Sequence, residues 1–390
     1  MKKSRALRVS AMLIGLSLVA AACGGSDDSA SDTTAAAGGE APEVVTCDSP
    51  VASLGLQFPE TGDAGNLGAP MLKGAQMAID EYNAENPDNC VTLKKFDTQG
   101  DPAKAPAVAQ SAIDDASVLG IMGPGFSGET EAAMPLYQEA GLAVVTGSAT
   151  RPSLTDQGWS NFHRLLANDS VQGPAIGKYI KDTLAATKVA VIDDASSYGK
   201  PLADEVATEA GSIVVVRDAV DPAAADFSAV VTKIKDAEVD AVFFGGYYAE
   251  ASKLSTQLRD GGVEATLVFG DGVKDQAGYA DATGPAAEGA IIACPCKDGN
   301  EDFVSRWSAK YGENPGTYGP EYYDVANIFL SIIKSGATDR AAVLEAVESF
   351  DAPGVTKQIK FTESGEATEA GAIYFYKVDA GTITYESEIK

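Results

Sequence analysis

Histidine is nearly missing from these 390 residues, with His163 standing alone. One imidazole cannot build a multi-histidine metal site. As the base of a serine hydrolase it would also lack an acidic neighbour, because it lies in the strand-like stretch FHRLL. Basic residues are scarce, 29 Lys+Arg against 56 Asp+Glu, which argues against a nucleic acid partner, since phosphate contacts need Lys and Arg. Long hydrophobic runs are missing as well. Beyond residue 22 no stretch approaches the roughly 18 continuous apolar residues that a membrane helix needs, so no transmembrane helix is expected.

What is present begins with a leader. Lys2, Lys3, Arg5 and Arg8 precede the apolar stretch Ala11 to Ala22, which ends at Cys23, and this reads as a signal peptide over residues 1–22. Its tail resembles the lipobox of bacterial lipoproteins, although position minus three is Ala20 where Leu is commoner. The expectation is a lipidated Cys23 on the outer face of the cell membrane. Residues 23–46 then serve as anchor and tether, because small polar residues such as GGSDDSASDTT cannot build a core. Removing the four leader cations from the 29 basic residues leaves 25 against 56 acidic ones, a formal charge of −31. About 345 residues remain after the tether, enough for two domains.

Four cysteines remain beyond Cys23, an even number in an exported chain, which favours disulfides. Cys47 and Cys90 stand just before VASLGLQF and VTLKKF, read as the first two strands. Parallel neighbours start at the same sheet edge, so a bridge between these two is expected. By elimination Cys294 and Cys296 form the other pair, although the one residue between them makes a small ring and leaves their pairing open.

From Val51 the chain alternates short apolar strands with helical patterns. VASLGLQF is followed by a helix over 69–84, VTLKKF by one over 105–115, and VLGIM by one over 129–140, with LAVV closing the series. A second series follows FHRLL: helix 171–184, VAVID, helix 201–210, SIVVV, helix 228–235, AVFFG, helix 250–259 and ATLVFG. Strict alternation means parallel sheets with right-handed crossovers. From Lys297 come helices over 302–311, 321–335 and 339–350, then two final strands, AIYFYKV and TITYESE.

Open parallel sheets bind ligands outside the carboxyl ends of their strands. The third strand delivers GPGFSGET, Gly123 to Thr130, which has the glycine spacing of a dinucleotide loop. It follows the wrong strand for that role, a proline holds its second position, and Ser148 stands where a ribose-binding acid belongs. A glycine loop opening a helix does expose N–H groups that suit a carboxylate, and Ser127 either caps that helix or donates to an anion. One strand over, TGSATRPS delivers Ser148, Ala149 and Thr150. In the second series, GGYYAE places Tyr247 at a strand end, GDGVKD places Asp271 at the next, and DDASSYGK brings Tyr198 to the same cleft. Donors for an anion facing an acid and aromatic rings are what a zwitterion requires.

At these residues the chain resembles the periplasmic binding proteins for branched-chain amino acids. PETGDAG, KGAQMAIDEYN, GPGFSG, LAVVTGSATRPSLT, FHRLLANDSVQG, DDASSYGK, FFGGYYAEA and PGTYGPEYYDVA occur in order. The resemblance implies the type I periplasmic binding protein fold, an α/β structure with two doubly wound parallel-sheet lobes joined by a multi-strand hinge. Lobe 1 is expected over 48–167 plus 297–370, and lobe 2 over 168–296 plus 371–390. It further implies that Ser127 and the Thr150 N–H hold the ligand carboxylate. The Ser148 carbonyl, the Thr150 hydroxyl and Asp271 would hold the ammonium, while Tyr198 and Tyr247 line the cleft beside Ala149. Two departures are visible: Asp271 is one methylene shorter than the family's usual glutamate, and Leu67 stands where an aromatic closes the side-chain pocket. The implied protein is a monomeric, non-enzymatic receptor without cofactor or metal, which passes an amino acid to ABC transporter permease subunits. A receptor of this fold for another small amide or organic acid, and a nucleotide-dependent enzyme using Gly123 to Gly128, are the alternatives.

Overall fold

The computed structural model describes residues 47–369 and 371–389; the leader, Cys23 and the tether lie outside them. The first series contains β1 (Ala52–Phe58), α1 (Gly65–Glu85), β2 (Val91–Asp97), α2 (Ala105–Asp114), β3 (Val118–Met122), α3 (Ser127–Glu139), β4 (Ala143–Thr146) and β5 (Phe162–Arg164). These strands form one parallel sheet in the order β2-β1-β3-β4-β5. β1, β3 and β4 are buried at every residue, as expected where helices cover both faces.

The second series contains α4 (Asp169–Lys178), β6 (Val189–Asp193), α5 (Gly199–Ala210), β7 (Val214–Ala219), α6 (Ser228–Ala237), β8 (Ala241–Gly245), α7 (Tyr248–Asp260), β9 (Thr266–Phe269) and β10 (Ile291–Cys294). After these come α8 (Glu301–Tyr311), α9 (Gly319–Lys334), α10 (Arg340–Glu348), a short ribbon of β11 (Asp351–Pro353) and β12 (Gln358–Lys360), and the hairpin β13 (Ile373–Asp379) and β14 (Thr382–Ile389). The second sheet runs β14-β13-β10-β9-β8-β6-β7, with β13 antiparallel to β10. The chain therefore passes between the two sheets three times: after β5, after β10 and before β13. Helices α9 and α10 return to the first sheet, where α9 packs along α1 and α10 packs on β3. A Cβ on Gly74 would stand 2.0 Å from the Gly319 carbonyl oxygen, so the α1–α9 approach needs glycine there.

The alternation of strand and helix is as read from the sequence, with shifts at element ends. α1 begins four residues early and carries Pro70 inside its first turns. The helix expected over 171–184 is α4 followed by a π-helical turn, Tyr179–Thr183. β10 and the β11–β12 ribbon were not foreseen, because strands of three or four residues carry too little periodicity to register.

Covalent and ionic ties hold the sheet edges and the crossings. Cys47 is bonded to Cys90 at the start of the β1–β2 pair, with Cα atoms 5.7 Å apart, and Cys294 is bonded to Cys296 where the chain leaves β10 for α8. At the first crossing the Arg164 guanidinium is fully buried. It donates through Nε to Glu366 (3.0 Å), through Nη2 to the same carboxylate, and through Nη1 to the carbonyls of Ala149 (3.2 Å) and Arg151 (2.7 Å). Burial alone would raise the Glu366 carboxyl, but the adjacent guanidinium outweighs it and holds the group below its usual range.

Two stability predictions follow from these ties. Cys47→Ser opens a 43-residue loop and is expected to lower the free energy of unfolding by about 4 kcal/mol on the chain-entropy account, measured by urea denaturation. Glu366→Ala leaves a buried guanidinium uncompensated and is expected to cost about 3–5 kcal/mol; a loss under about 1 kcal/mol in the same assay would show that the Arg164 pair does not organise the crossing.

Candidate functional site

The loops after β3 and β4 are stitched together by their own hydroxyls. Thr146 Oγ1 donates to the Pro124 carbonyl (3.0 Å) and accepts the N–H groups of Ser148 (3.3 Å) and Ala149 (3.1 Å). Ser148 Oγ donates to the Gly125 carbonyl (2.6 Å) and lies 3.0 Å from the Tyr322 hydroxyl. Ser127 is the first residue of α3 and makes no capping bond; its Oγ instead accepts the Arg151 N–H at 3.1 Å. Glu129 reaches back to the Phe126 N–H (3.0 Å) and also accepts from the Thr98 hydroxyl. Burial raises this carboxyl to about 7.

The glycines of GPGFSG face protein rather than a phosphate. Cβ atoms on Gly123, Gly125 and Gly128 would meet the Gln57 carbonyl oxygen at 2.3 Å, Pro59 at 2.9 Å and Pro102 at 2.8 Å. Gly123 also sits at φ +106°, which L side chains avoid. The dinucleotide spacing is thus accounted for by packing and turn geometry. His163 is buried with its ring 4.9 Å from that of Phe361, and burial lowers it to about 4, so it is neutral and structural.

Opposite these loops stands Asp271, buried at the carboxyl end of β9. Its Oδ1 accepts from Gln172 Nε2 (2.7 Å) and the Tyr198 hydroxyl (2.7 Å), and its Oδ2 accepts from the Tyr318 hydroxyl. The Tyr198 oxygen in turn accepts the Gly272 N–H at 3.2 Å. Burial raises the Asp271 carboxyl, and the three side-chain donors oppose that rise. A second buried acid, Asp169, accepts from the Thr150 hydroxyl (3.1 Å) and from the same Gln172 nitrogen (2.9 Å). Burial first, and then the charge of Asp271, push Asp169 up to about 8. The Tyr247 ring lies 4.7 Å from that of Phe126 and 5.2 Å from that of Tyr198, which closes the wall.

These groups line a narrow cleft whose free volume is about 10 Å³, room for little more than one water molecule. Phe126, Ser127 and Ser148 line one side, Tyr198, Tyr247, Asp271 and Gly272 the other, and Tyr318 the crossing. Of the residues singled out from sequence, Ser127, Ser148, Tyr198, Tyr247 and Asp271 are brought together. Thr150 sits one step behind, on Asp169. Ala149 and Leu67 are buried away from the cavity wall: the Ala149 carbonyl is taken by Arg164, and Leu67 packs into the core from α1. Sequence reading missed Phe126, Asp169, Gln172 and Tyr318. Asp169 stands in the first turn of α4, where the cap is Asn168, which accepts the Ser170 N–H at 3.0 Å. That leaves Asp169 free to turn inward. Tyr318 has φ +67°, rare for a side chain this bulky, and this strained backbone puts its hydroxyl on Asp271.

The periplasmic binding protein family matches residues 52–382. A Leu/Ile/Val-binding protein of Rhizobium johnstonii is 31% identical over 343 residues, covering 85% of this chain and 92% of the relative. A leucine-, isoleucine-, valine-, threonine- and alanine-binding protein of Pseudomonas aeruginosa is 31% identical over 80% of this chain and 86% of its own. Among solved structures, the branched-chain amino acid transporter substrate-binding protein LivJ of Streptococcus pneumoniae, in complex with isoleucine, superposes with a TM-score of 0.81 at 28% identity, over 87% of this chain and 99% of that one. With two lobes built on parallel sheets, a narrow cleft at their strand ends and a match over most of its length, this chain belongs to the periplasmic binding protein family.

Proposed function

We propose that this chain is an extracytoplasmic receptor that captures a small amino acid between lobes 48–167 plus 297–370 and 168–296 plus 371–390, and presents it to an ABC importer. Anchoring through a lipidated Cys23, action as a monomer and the absence of catalysis belong to the same reading. The observation that carries it is the buried Asp271 carboxylate, fixed by three neutral donors, across a narrow cleft from Ser127 and Ser148. A carboxylate has about four acceptor positions, so one remains for an ammonium.

The opposite wall suits the other end of a zwitterion. The Ser148 carbonyl and the Thr150 N–H take no partner among the described residues, while the Ser148 hydroxyl is committed to Gly125 and Tyr322. The Thr150 N–H and Ser127 would then hold the ligand carboxylate, and the Ser148 carbonyl, Thr150 hydroxyl and Asp271 the ammonium. An ammonium about 4 Å from a carboxylate is worth roughly 4 kcal/mol at an effective dielectric near 20. The two lobes already touch around the cavity through the Phe126 and Tyr247 rings, Ser197 with Glu131 (3.0 Å), and Asn66 with Asp275 (3.2 Å). The gap between the walls is smaller than any amino acid, so the lobes part to admit one, and a ligand that bridges both sides then stabilises a closed form that a permease can distinguish.

The names of the relatives support an amino acid, and the site supports the class more than any one member. No aliphatic side chain lines the cavity, whose walls are tyrosine, phenylalanine, serine, glycine and the acid. A panel of amino acids in a thermal-unfolding assay identifies the ligand: at about 100 times the dissociation constant it adds about 2.7 kcal/mol. No stabilisation by any of them would favour a receptor for another small acid or amide. Asp271→Asn is expected to weaken binding at least roughly tenfold by calorimetry, and unchanged affinity would discard the ammonium assignment. Thr150→Val should lose affinity, whereas Ser148→Ala, which breaks only internal hydrogen bonds, should leave affinity within about twofold and cost about 1 kcal/mol of stability. Equal losses of affinity would contradict that division.

A further inference from the structure

The amide of Gln172 donates from one nitrogen to two carboxylates, Asp169 Oδ1 at 2.9 Å and Asp271 Oδ1 at 2.7 Å. Two acids reached by a single –NH₂ group stand within the distance at which like charges interact strongly. Both are buried, with Asp169 and Asp271 at 0% and 2% exposure. We propose that Asp169 is a second acid of the ammonium subsite, coupled to Asp271 through Gln172, and that the pair holds one proton which the ligand's ammonium replaces. This rests on the reading of Asp271 as the ammonium partner.

The surroundings decide the charge state. Asp169 is faced by the Thr150 hydroxyl from the loop after β4 and by Gln172 from its own helix. Asp271 is faced by the hydroxyls of Tyr198, ahead of α5, and Tyr318, ahead of α9, and Tyr247 stands beside them in the same wall. All of these donors are neutral. Arg164 bonds to Glu366 and to the carbonyls of Ala149 and Arg151; its charge lowers the Asp169 carboxyl without a direct bond to it, and burial and the Asp271 charge outweigh that effect. Lys274, three residues beyond Asp271, turns its ammonium to the Tyr376 ring, 4.3 Å from the centroid. Two negative charges among neutral donors in a buried site are unfavourable, and each raises the other's affinity for a proton. The upward shifts of both carboxyls agree with that geometry.

A protonated amine entering the cavity changes this balance. It brings one positive charge, the O–H bond of the pair breaks, and the released proton goes to bulk solvent while the ligand keeps its own. The net charge of the subsite is the same before and after. Gln172 Oε1, buried and without a partner among the described residues, offers the incoming ammonium one more acceptor. A ligand with a carboxylate but no amine cannot make the exchange, so the pair selects for a cationic group as well as for size. Because the bound state carries fewer protons on the pair, binding tightens as pH rises and levels off near the upper pKa, about 8.

The test is calorimetry at pH 7 with L-leucine, and in parallel L-alanine, in two buffers of different ionisation enthalpy. The wild-type protein is expected to release close to one proton per ligand bound, with affinity rising between pH 6 and 8 by up to about tenfold per unit. Asp169→Asn, checked for an intact fold by circular dichroism, should still bind but release almost no proton and show a flat profile. Gln172→Met removes a donor that favours the charged form of both acids, so it should keep the release near one proton and move the rise in affinity to higher pH; it replaces Asp169→Asn if that variant does not fold, and a Gln172→Met profile unmoved from wild type would count against the coupling. Wild-type binding with no proton release and no pH dependence would overturn the proposal while leaving the receptor reading intact, and so would an Asp169→Asn variant that releases as much as wild type. Failure of both amino acids to bind the wild type would overturn this proposal together with the reading it rests on.

Discussion

A carboxylate buried without a directly bonded cation is the constraint on which the rest of this site depends. Taking such a group out of water costs several kcal/mol unless hydrogen bonds, a proton or a cation compensate. At Asp271 the fold supplies three donors from three separate parts of the chain: Gln172 from α4, Tyr198 ahead of α5 and Tyr318 ahead of α9. Each donor requires its own scaffold. Tyr318 needs a left-handed backbone, Gln172 needs α4 to start right after the first crossing, and Tyr198 needs the tight loop between β6 and α5. The acid is therefore positioned by the whole second series together with the crossings.

The opposing wall is built by a different device. There the chain uses short hydroxyl side chains to lock two neighbouring loops to each other, Thr146 to Pro124 and Ser148 to Gly125. Arg164 ties the outgoing end of the β4 loop to Glu366 on a returning segment. Spending side chains on internal bonds leaves the Ser148 carbonyl and the Thr150 N–H without partners among the described residues, and a backbone already fixed loses little entropy on binding. One wall presents a fixed backbone and the other a fixed acid.

Much of this was legible in the sequence because periodicity and topology are strong signals. Strand–helix alternation gave the parallel sheets, and the rule that ligands bind at strand carboxyl ends selected Ser127, Ser148, Tyr247 and Asp271. What stayed hidden depended on directions that sequence spacing does not encode. Asp169 follows an asparagine that takes the capping role, so its inward turn is decided by Asn168 and Gln172 rather than by its own position. Tyr318 lies in a loop with no periodic pattern, and its placement comes from backbone strain that only the tertiary structure sustains. Leu67 lies near the start of α1, which begins at Gly65, and its side chain packs into the core.

The central claim is that Asp271 is the partner of a ligand ammonium, and a crystal structure of the protein with a bound amino acid tests it most directly. The account predicts the ligand nitrogen within about 3.2 Å of an Asp271 carboxylate oxygen, with the ligand carboxylate turned toward Ser127 and Thr150. A ligand whose nitrogen lies more than about 4 Å from Asp271, or which occupies a different cavity, would contradict it.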